Sequence, residues 1–380
     1  MEFRQLLALM EEKKASDMFI TAGWPPSIKV HGTIHPIGSK PLTPAQTSEL
    51  VMGVMSDKQR LEFEKTHECQ FAISARGIGR FRVSAFIQRD SAGMVLRRIE
   101  TRIPTIDELR LPSVLRDIAM TKRGLVVFVG GTGTGKSTSL AALVGYRNRH
   151  STGHIITIED PIEFMHEHDG CIVTQREVGM DTESFEVALK NTLRQAPDVI
   201  LIGEIRTRET MEYAIAFAET GHLVLATLHA NNANQALDRI INFFPEEARR
   251  QLFMDLSLNL KAVVAQQLIP RKTGEGRCAC VEILINTPLA ADLIRKGEVH
   301  KLKELMKRSR EQGMMTFDLA LFELHQEGEI SYEDALKHAD SANEVRLMIK
   351  LQGNDSTAEM EDSIGGISLV GDEDDAEMHI

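Results

Sequence analysis

Residues 125–137 read Leu125-Val-Val-Phe-Val129-Gly130-Gly-Thr-Gly-Thr-Gly135-Lys136-Ser137. The first five residues are an unbroken apolar run, which is typical of a buried strand in a parallel sheet. The rest matches the phosphate-binding pattern Gly-x-x-x-x-Gly-Lys-Ser/Thr. A helical pattern follows over Thr138 to Arg147. A strand, a glycine-rich loop and a helix in this order predict an α/β domain that binds a nucleotide.

The residue types of this loop suit the phosphates of ATP. Glycines let successive backbone N–H groups curl around phosphate oxygens, and a helix N-terminus adds favourable partial charge. We expect Lys136 to reach the β- and γ-phosphates and Ser137 to hold Mg²⁺. The predicted nucleotide-binding residues are Gly130, Gly131, Thr132, Gly133, Thr134, Gly135, Lys136, Ser137 and Thr138.

Acidic residues follow two further apolar strand patterns. The run at 155–158 leads into Glu159-Asp-Pro-Ile-Glu163, and the run at 199–202 leads to Glu204. Ligands of open α/β sheets bind at the carboxyl ends of strands, so these carboxylates are expected near the phosphates. ATP hydrolysis needs carboxylates beside the metal and the attacking water. The residues alone leave open whether Glu163 or Glu204 is the base.

Histidines and arginines offer further candidates. His222 and His229 bracket the strand pattern at 223–227, where each suits either a phosphate contact or a structural role. Arg82, Arg97 and Arg98 lie in the first hundred residues. They suit either exposed strand positions or arginine fingers that reach a phosphate from another domain or subunit.

The pattern along the chain indicates two domains. Residues 1–99 mix helical and strand patterns, which predicts a small α+β domain. Residues 100–112 contain two prolines and little periodicity, which predicts a linker. Residues 113–353 contain strand patterns at 154–158, 199–202 and 223–227 with helical patterns between them, typical of a doubly wound sheet. After Pro270 the pattern predicts helices, at 288–295, 301–307, 316–326 and 331–338.

Charge and cysteine content narrow the class of protein. Of the net charge of −11, nine negative charges lie in residues 354–380, for which we predict a disordered acidic tail. The remaining −2 argues against a nucleic-acid partner. The four cysteines include no Cys-x-x-Cys pair, which argues against a zinc site. With neither a signal-peptide pattern nor a run of about 20 apolar residues, we expect a cytoplasmic protein.

Four motifs together resemble the PilT/PilU family of type IV pilus retraction ATPases, which belongs to the secretion ATPases. The family's Walker A loop matches residues 130–137 and its Asp box matches 157–163. Its Walker B motif matches 198–206, and its His box matches 220–229. The family's N-terminal segment resembles residues 15–26, so the resemblance covers roughly residues 1–350.

The resemblance implies a homohexameric ATP-hydrolysing motor of pilus retraction and twitching motility. It implies a PAS-like N-terminal domain and a RecA-like ATPase domain with added C-terminal helices. In the family, the residue matching Glu163 polarises the attacking water, the one matching Glu204 helps to hold Mg²⁺, and the one matching His229 contacts the γ-phosphate region. Arg82 and Arg97 match arginines that reach a neighbour's nucleotide. The implied partners are a PilT-like ATPase and a PilC-like platform protein, at the cytoplasmic side of the inner membrane at the pilus base.

Departures from the family pattern point to its PilU branch, an accessory to PilT. PilT proteins carry an Ala-Ile-Arg-x-x-Ile-Arg-Glu helix, whereas residues 289–296 read Leu-Ala-Ala-Asp-Leu-Ile-Arg-Lys. Ala196 stands where PilT has Asp. The sequence Asn-Asn-Ala-Asn at 231–234 and the acidic tail are also typical of PilU. The lack of a four-cysteine zinc module argues against the pilus-assembly and type II secretion ATPases.

Three other functions fit the sequence less well. The chain could act mainly as a scaffold for PilT, with ATP hydrolysis of secondary importance. The complete set of Lys136, Glu163 and Glu204 favours hydrolysis instead. A DNA-translocating ATPase needs a basic stripe, and the composition offers none. A small-molecule P-loop kinase needs neither the second acidic strand end nor the His box.

Overall fold

We describe the fold from a computed structural model that defines residues 2–99 and 102–352. The predicted acidic tail at 354–380 lies outside the described residues, and so do residues 100 and 101 of the predicted linker. Two sheets organise the described part of the chain, one in each domain.

The N-terminal domain is an antiparallel sheet packed with helices, as predicted. Thr43 caps the second helix by accepting a hydrogen bond from the Gln46 N–H, and Pro44 starts its first turn. The strand order is β3-β2-β1-β6-β5-β4. The sequence pattern missed α3 and β4. The elements are α1 (Phe3–Glu12), β1 (Asp17–Ile20), β2 (Ser27–Val30), β3 (Thr33–Pro36), α2 (Pro44–Gly53), α3 (Asp57–Thr66), β4 (Glu68–Ala75), β5 (Gly79–Gln88) and β6 (Ser91–Ile99).

The C-terminal domain is a seven-stranded sheet between helices. Its order is β13-β12-β7-β11-β10-β8-β9, with β13 antiparallel and the others parallel. The elements are α4 (Val114–Ala119), β7 (Gly124–Val129), α5 (Lys136–His150), β8 (Gly153–Glu159), β9 (Cys171–Glu177), α6 (Phe185–Thr192), β10 (Val199–Ile202), α7 (Arg208–Glu219), β11 (Leu223–Leu228), α8 (Ala233–Asn242), α9 (Glu246–Asn259), β12 (Leu260–Pro270), β13 (Arg277–Ile285), α10 (Pro288–Arg295), α11 (Leu302–Arg308), α12 (Phe317–Gln326), α13 (Tyr332–His338) and α14 (Ala342–Gln352).

The parallel strands bring the predicted motifs to one edge of the sheet. Every residue of β7 and of β11 is buried, because helices cover both faces. Val129 pairs with Leu228, and Ile202 pairs with both Ile158 and Ala226, so these four strands end within about two residues of one another. The loops that follow β7, β8, β10 and β11 therefore meet at the carboxyl edge, where ligands of such sheets bind.

The expectation of helices alone after Pro270 is wrong. Residues 277–285 form β13, which pairs with β12 over nine residues from Ala262↔Ile285 to Pro270↔Arg277. The segment is apolar toward both faces, with Cys280, Ile283 and Leu284 buried. Such a short apolar run has no periodicity that separates a buried strand from a buried helix. The four predicted helices are confirmed as α10 to α13.

Part of the predicted linker packs against the C-terminal domain. Ile106 and Leu111 are buried in the same cluster as Leu115, Leu140 and Leu143. These contacts attach the second half of the 100–112 segment to the ATPase sheet. The division of the chain at this segment stays a prediction.

A buried carboxyl joins α8 to β13. Glu282 is 2% exposed, and it accepts a hydrogen bond from the N–H of Ala233, the first residue of α8, at 2.8 Å. Burial raises the pKa of Glu282 from 4.5 to about 7, although the Ala233 N–H opposes this shift. Near neutral pH, folding therefore disfavours the charged form of this carboxyl.

We expect Glu282→Gln to gain stability relative to the wild type as the pH rises from about 4.5 to about 8. Over this range the folded chain keeps a proton on Glu282 that the unfolded chain releases, so the wild-type free energy of unfolding falls as the pH rises. A pKa raised from 4.5 to about 7 corresponds to about 3 kcal/mol. Urea unfolding of both proteins at the two pH values measures the difference. The same difference at both values would contradict this account.

Candidate active site

The glycine-rich loop joins β7 to α5 and carries two glycines at which a larger residue would collide with neighbouring atoms. Gly130 has φ +155° and Gly135 has φ +86°. A Cβ at either position would lie within 2.7 Å of Gln266, at its backbone oxygen for Gly130 and its side-chain nitrogen for Gly135. The loop is therefore held tightly against β12.

Lys136 folds back over this loop. Its Nζ donates hydrogen bonds to the carbonyls of Gly130 and Gly131, each at 2.8 Å. Burial lowers the pKa of Lys136, and the negative charge of Glu204 opposes that shift. The ammonium group is thus placed at the mouth of the loop, on the side of the acidic strand ends.

Glu204 follows β10 and contacts one group from a neighbouring strand end and one from its own. Its Oε1 lies 3.2 Å from Nε2 of His229, which follows β11. Its Oε2 accepts a hydrogen bond from Nε of Arg206 at 2.9 Å and lies 2.8 Å from Nη2 of the same guanidinium. Arg206 also lies 3.6 Å from the carboxylate of Asp160, which follows β8. These contacts join the ends of three strands into one charged cluster.

The two glutamates of the Asp box occupy different environments. Glu159 accepts hydrogen bonds from Thr157 Oγ1 at 2.6 Å and Gln175 Nε2 at 3.2 Å, and burial raises its pKa. Glu163 is exposed, and its carboxylate makes no hydrogen bond or ion pair with the residues that the structure describes. A side chain that is to orient water has to be accessible, so Glu163 fits that task better than Glu159, which is half-buried and already hydrogen-bonded.

Arginines of the N-terminal domain face the same region. Arg82 on β5 and Arg97 on β6 are directly opposite one another, an unfavourable pairing of like charges. Nη2 of Arg82 donates to the Ile162 carbonyl in the Asp box at 3.1 Å, while its Nε is buried without a partner among the described residues. Nε of Arg97 donates to Asp17 at 3.0 Å. An anion between the domains would relieve the repulsion between these two arginines.

These groups enclose a cavity of about 700 Å³ between the two domains. Gly130 and Gly131 border a smaller adjoining cavity of about 450 Å³, which His229 also lines. His222 lies at the other end of β11, where its Nδ1 is 3.1 Å from the Phe217 carbonyl, away from both cavities. The predicted residues that line the larger cavity are Arg82, Arg97, Thr132, Gly133, Thr134, Gly135, Lys136, Ser137, Thr138, Glu163, Glu204 and His229, together with Arg98.

Sequence reasoning missed several residues at this site. Arg206 lies two positions after Glu204, and that proximity was the one available signal. Arg277 and His166 also line the cavity. Burial, with the positive charge of Arg149, lowers the pKa of His166 to about 4, so its ring is neutral near pH 7. Gln266 contacts the loop from β12 and had no sequence signal at all.

Comparisons with known proteins agree with this geometry. The sequence model of the family described as Type II/IV secretion system protein matches residues 8–317. The type IV pilus ATPase PilU of Pseudomonas aeruginosa is 69% identical over 376 residues, covering 99% of this chain and 98% of that protein. The type IV pilus retraction ATPase PilT of the same organism is 43% identical over 339 residues, covering 89% and 98%.

A solved structure agrees as well. The crystal structure of the pilus retraction motor PilT with bound ADP superposes with a TM-score of 0.86 at 39% identity, covering 92% of this chain and all of that one. Fold and site together define a nucleotide-binding P-loop ATPase with a RecA-like catalytic domain. The chain belongs to the Type II/IV secretion system protein family and, within it, to the PilT/PilU type IV pilus ATPases.

Proposed function

We propose that this chain is a homohexameric motor of type IV pilus retraction, in the accessory role of PilU beside a PilT-like ATPase. The observation that carries the proposal is the cavity of about 700 Å³, bordered by the nucleotide loop, the acidic strand ends and the arginines of the other domain. Hydrolysis in a cavity between two domains changes the contacts that set their relative position. ATP hydrolysis would thereby drive a movement of one domain relative to the other.

Residues 130–138 bind the phosphates of ATP in this proposal, with Lys136 on the β- and γ-phosphates. Ser137 and Glu204 hold Mg²⁺, since both present oxygen atoms to the same cavity. Mg²⁺ keeps several of its waters, so one or two protein oxygens suffice to bind it. The ion, when bound, neutralises charge on the phosphates. Glu204 itself is oriented by Arg206 and His229.

Glu163 orients and polarises the attacking water. Its exposure to the cavity supports this role, because the other Asp-box glutamate is only half-exposed and its carboxyl already accepts hydrogen bonds from Thr157 and Gln175. His229, Arg82 and Arg97 stabilise charge around the γ-phosphate. Both arginines line the cavity of their own chain, which supports a contribution within the subunit when the domains close. In the family the matching arginines reach a neighbour's nucleotide. Mixing Arg82→Ala with Lys136→Ala subunits distinguishes an arginine that acts within its own subunit from one that acts on the nucleotide of a neighbouring subunit.

The proposed site of action is the cytoplasmic side of the inner membrane, on a PilC-like platform protein at the pilus base. No helix within residues 2–99 and 102–352 has the length and apolarity to cross a membrane. The accessory role rests on the end of α10, where Lys296, the residue after the helix, replaces the family glutamate and pairs with Asp292 at 2.6 Å. Asp292 also pairs with Arg295 at 2.6 Å, so this helix satisfies its charges within itself.

An experiment in cells separates a motor from a scaffold that merely supports PilT. Chromosomal Glu163→Gln is compared with a full deletion by imaging pilus retraction, and immunoblotting confirms equal protein levels. A motor predicts that the variant retracts as poorly as the deletion. Normal retraction by the variant would show that the chain acts by binding PilT rather than by hydrolysis.

A further inference from the structure

We propose that Gln266 is a positioning residue for the nucleotide loop: its buried amide sets the orientation of the peptide that presents the Gly135 N–H to the phosphates. Gln266 lies on β12, next to β7 in the sheet, where Ala265 pairs with Val129. The inference rests on the proposed function only in that the loop binds nucleotide phosphates.

The side-chain amide of Gln266 connects Thr134, which precedes Lys136, to Ser139, which follows it. Its Nε2 donates to the carbonyl of Thr134 at 2.9 Å, and its Oε1 accepts from Oγ of Ser139 at 2.8 Å. Gln266 and Ser139 are 2% and 1% exposed. A buried amide with both ends bonded has one orientation, because any other would leave a polar group unpaired. The bridge therefore fixes the loop to the first turn of α5.

The bond to Thr134 determines where the next N–H points. In a trans peptide the C=O and the following N–H point in opposite directions. Because the Thr134 carbonyl is directed at Gln266, the Gly135 N–H is directed away from β12. Gly135 lines the cavity, so this N–H belongs to the group of amides available for a phosphate oxygen.

The glycine at this position supports the same conclusion. A Cβ on residue 135 would lie 2.7 Å from Nε2 of Gln266. The amide thus occupies the space that any larger residue at position 135 would need, and the φ of +86° there is one that glycine adopts without steric cost. The geometry of the loop therefore depends on both Gly135 and the Gln266 amide, which are far apart in the sequence.

Gln266→Met tests the proposal, because methionine preserves length and burial but neither donates nor accepts in this bridge. We expect KM for MgATP and Kd for ADP to rise about tenfold, the scale of one to two net hydrogen bonds, with kcat within about threefold. Gln266→Glu keeps the acceptor for Ser139 but removes the donor to Thr134, so it should weaken ADP binding at least as much. Gln267→Met is the matched control, since the next side chain on a strand points to the opposite face.

The outcomes are distinct. A KM and an ADP Kd within twofold of the wild type in Gln266→Met overturn the proposal, whether or not the melting temperature falls, because lost folding alone lowers the active fraction and leaves KM unchanged. A tenfold rise confined to Gln266 variants supports it. Lys136→Ala is measured alongside: if that variant binds ADP as tightly as the wild type, the nucleotide site itself is misplaced.

Discussion

Lys136→Ala should reduce ATP turnover by at least about 10²–10³-fold, the usual cost of removing one preorganised charge stabiliser. The ammonium group bonds to the Gly130 and Gly131 carbonyls at 2.8 Å and lies beside the Glu204 charge. From that position it can exchange these carbonyls for phosphate oxygens. Phosphate release by purified protein, with saturating MgATP, measures the effect.

The control for this prediction is Lys122→Ala, an exposed lysine of the same domain that lies outside the cavity. Its turnover should equal that of the wild type. Turnover that survives in Lys136→Ala would mean that ATP is hydrolysed elsewhere, or by a contaminant. It would remove the basis for assigning residues 130–138 to the nucleotide.

Glu163→Gln should lower turnover by about 10²–10⁴-fold, the range for loss of a group that moves a proton in the transition state. ATP affinity should change little, because the amide replaces the carboxylate at the same volume and the phosphate-binding loop is untouched. Nucleotide titration by calorimetry and phosphate release on the same sample separate binding from chemistry.

Glu167→Gln is the matched control, an exposed glutamate four residues further along that does not line the cavity. Near-normal turnover in Glu163→Gln would mean that another carboxylate polarises the attacking water. Glu159 is a poor substitute because Thr157 and Gln175 hold its carboxyl, so Glu204 would be the next residue to examine.

Most of the nucleotide site was predictable because its signals are local. Each motif follows an apolar strand, and parallel strands bring their carboxyl ends to one edge of a sheet. The structure places Lys136, Glu163, Glu204 and His229 around one cavity. Predicting those positions requires only the strand pattern and the rule that ligands bind at the carboxyl ends of parallel strands. It requires no knowledge of contacts between distant residues.

Other features depend on contacts between distant residues. Gln266 bonds to residues 127 and 132 positions away, and no pattern along the chain indicates such a pairing. Glu159 and Glu163 differ in environment because Thr157 and Gln175 hydrogen-bond to the carboxyl of Glu159, whereas the side chain of Glu163 is exposed.

The central claim is that this cavity is a complete site for ATP hydrolysis, and its most direct test is phosphate release by the purified wild-type chain with and without Mg²⁺. The account predicts many turnovers per chain with MgATP and a fall to background when EDTA removes the metal. Binding of ATP without phosphate release, or release that EDTA leaves unchanged, would contradict it.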